Sequence, residues 1–118
     1  MATAKDFHKE GYNCCEAMLK SANVNKGLDI PVNLGSPFGS GMTVGSTCGA
    51  ITGAAIILGY LKGRKDSTEK NLSWKDTKAL MNAVKEKYGT LECIQLKKQG
   101  VSCNEIIEYV EELLNNQL

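Results

Sequence analysis

Cys14, Cys15, Cys48, Cys93 and Cys103 are the residues of this chain best suited to chemistry, and that chemistry is sulfur chemistry. Five cysteines in 118 residues form no Cys-x-x-Cys pair, so neither a thioredoxin-type motif nor ordinary zinc-finger or zinc-ribbon spacing is present. Any cooperation between them must come from folding. Cys14, Cys48 and Cys103 each follow a residue suited to cap a helix: Asn13, Thr47 and Ser102. This predicts all three in a helix's first turn, where unpaired N–H groups and the helix dipole lower a thiol pKa and stabilise a thiolate or an anionic cluster. Cys93 follows Gly89 in the short segment between two helices, where a loop-like backbone can aim its sulfur inward. Cys15 reads as a small buried hydrophobe on the arc of Leu19 and Ala22. The candidate set is therefore Cys14, Cys48, Cys93 and Cys103, and four thiolates suit an iron–sulfur cluster or tetrahedral zinc. Two other readings stay open: thiol–disulfide exchange in which a low-pKa Cys48 or Cys103 attacks, and a structural zinc domain acting as an interaction module.

Other chemistries lack their parts. His8 is the single histidine and reads as a solvated helix residue, so no nucleophile, base and orienter can be assembled around it. Glu108, Glu111 and Glu112 fall on solvated helix faces, which leaves conventional hydrolysis without a site. Fourteen lysines and arginines against thirteen aspartates and glutamates give a net charge of +1, with no basic stripe for nucleic acid. The glycine-rich segment Gly35–Gly45 lacks the preceding strand and the lysine of a phosphate-cradling loop.

The elements that must position these sulfurs read as all-α, a compact bundle of four to five helices in one domain over residues 1–118, around a glycine-rich central segment. A first amphipathic face runs from about Thr3 to Ala22, with a break expected at Gly11-Tyr12-Asn13, where Asn13 and Glu16 can form a helix-starting box. Lys26 to Pro31 is a loop, after which Pro31 can open a short helix. Gly45, Gly49 and Gly53 line one face of a helix over about Cys48–Leu61, a face that admits a second helix or a bulky inorganic group close to the backbone. No charge occurs between Asp29 and Lys62, but the polar first half of that stretch leaves a buried core helix rather than a membrane span. Ser73 to Tyr88 should bury Trp74, Thr77, Met81, Val84 and Tyr88, and Leu91 to Lys98 adds a turn or two. Ser102 and Glu105 supply a capping box for the last helix, which buries Ile106, Ile107, Val110, Leu113 and Leu114. The start, Met1 to Phe7, meets Asp6 before any apolar run, so a cytoplasmic location without a signal peptide is expected, and with it reduced thiols.

Gly11-Tyr12-Asn13-Cys14, Phe38-Gly39-Ser40-Gly41-Met42, Cys48-Gly49-Ala50-Ile51-Thr52-Gly53, Cys93 and Cys103 together resemble the C_GCAxxG_C_C family of redox proteins, over nearly the whole chain. The resemblance implies Cys14, Cys48, Cys93 and Cys103 as the functional set, with Cys15 outside it. It also implies kinship with the cluster-binding part of split-Soret cytochromes, hence an anaerobe's electron-transfer protein with an iron–sulfur cluster, two-iron as the first choice and four-iron as the second. That kinship admits a homodimer, and the redox partner is unidentified. Haem does not follow, because the chain has no Cys-x-x-Cys-His and only one histidine.

Overall fold

The computed structural model describes residues 2–118, and helices account for its architecture. In chain order they are α1 (Ala4–Lys9), α2 (Cys14–Lys26), a 3-10 helix (Val32–Phe38), a tight helical turn (Gly41–Gly45), α3 (Gly49–Lys62), α4 (Ser73–Tyr88), α5 (Cys93–Lys98) and α6 (Cys103–Gln117). Among the described residues the β-type pairing is one isolated antiparallel bridge, Thr47 to Glu92. The all-α expectation holds.

The first face breaks where expected. Gly11 sits at a φ of 114°, reversing the chain between α1 and α2. Lys20 then caps the hairpin with its amine 5.6 Å from the Phe7 ring and 5.5 Å from the Tyr12 ring. Opposite α2, α1 is held to α6 along its length by polar contacts of regular spacing. His8 Nδ1 lies 3.0 Å from Asn104 Oδ1, Lys5 Nζ lies 2.9 Å from a Glu108 oxygen, and the Ala4 N–H donates to Glu111. Rising numbers on one helix meet falling numbers on the other, so α1 and α6 run antiparallel. Glu111, read as a solvated side chain, is instead a structural acceptor that also takes the buried Ser21 hydroxyl.

α3 is the core helix its composition predicts, burying Ala50, Ile51, Ala54, Ile57 and Leu58. No helix among the described residues is long and apolar enough to cross a membrane. A side chain at Gly53 would stand 2.8 Å from the Met18 Cβ, so this glycine serves the close packing of α3 on α2. Met18, Leu19, Ile51, Ile57, Leu58, Leu80, Ile107 and Leu114 are fully buried where these helices meet, each contributing about 1.5–3 kcal/mol from removal of apolar surface.

Two expectations need correction. On α4 the buried residues are Leu80 and Val84, with Met81 and Tyr88 half-buried, while Trp74 is 76% exposed. Trp74 occupies the first turn, reached from the exposed 63–72 connection, where the core has not yet begun. The capping box of α6 is half-formed: the Ser102 hydroxyl accepts from the Glu105 N–H, but the Glu105 carboxylate takes the Tyr88 hydroxyl instead of reaching back.

Candidate metal centre

The four candidate cysteines reach one cavity from four helix starts. Cys14 opens α2 behind a complete capping box: Asn13 Oδ1 accepts from the Glu16 N–H at 2.8 Å, and Glu16 accepts from the Asn13 N–H at 2.9 Å. The same pair grips the 3-10 helix, since the Ser36 hydroxyl donates to Glu16 at 2.6 Å and Asn13 Nδ2 donates to the Ser36 carbonyl at 3.1 Å. Cys103 opens α6 after Ser102, as expected.

Cys48 and Cys93 depart from expectation. Cys48 is itself the cap of α3, one place earlier than the first turn, and has an extended backbone. Cys93 begins the short helix α5 rather than lying in a loop. A backbone clip registers the two: the Cys48 N–H donates to the Leu91 carbonyl at 3.0 Å and the Cys93 N–H to the Ser46 carbonyl at 2.6 Å. Ser46 N–H in turn donates to the Gly41 carbonyl at 2.7 Å, closing the Gly41–Gly45 turn beneath the clip. Ser40, Met42 and Thr43 all adopt positive φ in that segment. Gly41, at φ 64°, cannot be replaced without conflict: a Cβ there would run into the Ser46 carbonyl and come within 2.7 Å of the Cys93 Cβ. Gly49 makes room at the cavity wall, because its Cβ would stand 2.9 Å from the Phe38 carbonyl and 3.1 Å from the Cys14 Cβ. Glycine's role is thus divided, Gly49 at the cavity and Gly53 in helix packing.

The cavity is ≈ 100 Å³. Cys14, Cys48, Cys93 and Cys103 line it together with His8 and Lys97, and Leu96 and Ile106 supply apolar wall. All five cysteines are free thiols, and Cys15, fully buried, faces elsewhere, against Gly35. One ligand atom each of His8, Cys14 and Cys103 lies within 4.8 Å of the other two, a group that can hold a metal ion. Among the described residues this is the one such group; Cys48 and Cys93 line the same cavity without completing a second one.

Electrostatically the thiols do not behave as helix-start cysteines in isolation. Burial holds the Cys14 thiol well above the ordinary range, and the neighbouring thiols of Cys103 and Cys48 add to it. Burial also pushes Cys48 up to about 11, against backbone N–H contacts from Ala50 and Ile51 that pull it down, and pushes Cys15 up to about 11. The expected lowering at Cys14 and Cys48 is overturned: a helix terminus supplies about 0.3–1 kcal/mol, less than the cost of a thiolate buried among other thiols. Such thiols stay protonated until a cation replaces their protons.

His8, read from the sequence as a solvated helix residue, is instead half-buried and lines the cavity. The expected break at Gly11-Tyr12-Asn13 was the signal that places it, because a reversal there returns the end of α1 to the start of α2. No local signal marks Lys97 or the Cys48–Cys93 clip. The family described as Putative redox-active protein (C_GCAxxG_C_C) matches residues 12–116 of the chain. Neither a curated protein nor a solved structure matches it.

Proposed function

The chain belongs to the C_GCAxxG_C_C family, and from that membership we propose that it is an electron-transfer protein holding an iron–sulfur cluster on Cys14, Cys48, Cys93 and Cys103. The observation that carries this reading is the convergence of four free cysteines on one small cavity. Four thiolates are the usual ligand count for an iron–sulfur cluster. The donor set also fits, being four thiols in a cavity whose wall is partly apolar, from Leu96 and Ile106.

Bound there, the cluster supplies one-electron exchange at a potential set by its surroundings. The chain's residues do the rest. Cys14, Cys48, Cys93 and Cys103 give up their protons and become ligands. The first N–H groups of α2 and α6 place positive dipole ends beside Cys14 and Cys103, which favours the thiolate ligands. Lys97 adds a cation at the wall, Leu96 and Ile106 limit water, and Gly49 leaves the space a side chain would fill. A two-iron cluster and a cytoplasmic setting complete the proposal.

Anaerobic purification followed by iron, sulfide and visible-absorption measurement tests it. The expected result is a coloured protein with iron and sulfide in equal amounts. Stoichiometric zinc without sulfide, or a colourless protein after reconstitution, overturns it. Thiol–disulfide exchange has one favouring observation, the proximity of Cys14 to Cys103, while burial, by raising the Cys48 thiol, makes that residue a poorer attacking thiolate.

A further inference from the structure

The cavity has a second set of ligands that shares only half of the first. We propose that His8, Cys14 and Cys103 form a mononuclear site for a thiophilic divalent cation, with its fourth position open to the cavity. This stands independently of the cluster reading.

Two observations carry it. Ligand atoms of these three residues lie within 4.8 Å of one another, so little rearrangement is needed to close them on one ion. Separately, the His8 ring is oriented. Its Nδ1 lies 3.0 Å from Asn104 Oδ1, and a carbonyl oxygen only accepts, so Nδ1–H donates and the lone pair is left on Nε2. A histidine fixed through one nitrogen by an outer oxygen, with the other free, has the arrangement seen around metal-ligating histidines. The fold supplies each part from a different source: His8 from the end of α1, Cys14 from the start of α2, and Cys103 with Asn104 from the start of α6. The antiparallel contacts from Lys5 to Glu108 and from Ala4 to Glu111 hold α1 against α6 and so keep His8 in place.

Two thiolates and an imidazole match zinc, cobalt or ferrous iron, and three protein ligands leave one coordination position for water or a small anion. Binding replaces the two thiol protons with the cation, releasing them to solvent. Cys14 and Cys103 are common to both ligand sets, so the single ion and the cluster exclude each other.

The test uses the full reduced chain, without air, titrated with Co2+ alone. One Co2+ should bind to the wild type and to the Cys48→Ser/Cys93→Ser variant, with thiolate charge-transfer absorption and tetrahedral ligand-field bands. His8→Ala should weaken binding at least tenfold and alter those bands. Asn104→Leu, which touches no cation, should weaken it about tenfold. Wild-type affinity and bands in His8→Ala overturn the proposal, as does loss of Co2+ binding in Cys48→Ser/Cys93→Ser with its helical circular dichroism intact. Should His8→Ala fail to fold, unchanged affinity in Asn104→Leu overturns it instead. One equivalent of Zn2+ should block uptake of iron and sulfide, and simultaneous full occupancy by both counts against the site. A chain that binds Co2+ through His8 yet never takes up a cluster sinks the cluster reading alone, and the converse sinks only this one.

Discussion

Cys14 and Cys103 reach the cavity by one route, Cys48 and Cys93 by another. The first pair opens two long helices, each behind a capping side chain only one residue away. The second pair is aligned by main-chain hydrogen bonds between segments more than forty residues apart, resting on a turn with left-handed residues. One side of the site is therefore specified by side chains that act locally, and the other by backbone groups that act at long range. Damage should propagate differently: a lost cap frays one helix end, whereas a disturbed turn moves two sulfurs together.

The sharpest test of the comparison removes the sulfurs themselves. Serine at Cys14, Cys48, Cys93 or Cys103 should each abolish most of the visible absorption of reconstituted protein, while Cys15→Ala should keep it. A cluster that survives loss of Cys48 or Cys93 would show that the second side is scaffolding. Next in size is Gly41→Val, which places a side chain against the Ser46 carbonyl and the Cys93 Cβ at a φ that valine resists. We expect a loss of about 3 kcal/mol, read as a thermal midpoint lower by about 10 °C. A stable Gly41→Val variant would mean that the turn does not hold the clip.

Alkaline titration of metal-free protein is a smaller effect. Cys15 and Cys48 have folded-state pKa values raised to about 11, so the folded chain keeps protons that the unfolded chain releases. Their contribution is whole below the ordinary thiol range near pH 9 and fades as pH climbs toward 11. Each can take away up to about 2–3 kcal/mol, seen as a falling urea midpoint above pH 9. Replacing Cys48 with alanine should flatten that decline. The smallest effects separate the two caps. Asn13→Ala should cost about 1–2 kcal/mol because the box also grips Ser36, and Ser102→Ala about 0.5–1 kcal/mol because its box is half-made. Equal losses in chemical denaturation would deny the difference.

What sequence revealed follows the same division. Asn13 before Cys14 and Ser102 before Cys103 were legible because capping is a contact between near neighbours. The cap role of Cys48 and the helical start at Cys93 were not, because both depend on the Ser46–Cys93 and Cys48–Leu91 bonds, which no local pattern encodes. The place of His8 at the cavity was not legible because a lone histidine on a short helix carries no spacing signal until the Gly11 reversal is followed through to its end. Trp74 failed for a simpler reason: helical periodicity shows which side of a helix is apolar, but not how far along its axis the core extends.

Ser40, Met42 and Thr43 give the second side a property of its own in time rather than in energy. Each holds a backbone conformation that costs a residue with a Cβ about 1–2 kcal/mol, so opening the 40–46 turn releases part of what closing it required. Amide protons there should exchange with water through a local opening, long before those at the centres of α2 and α3. Ser40 and Gly41 also line the cavity, so that local opening begins at the wall of the site itself.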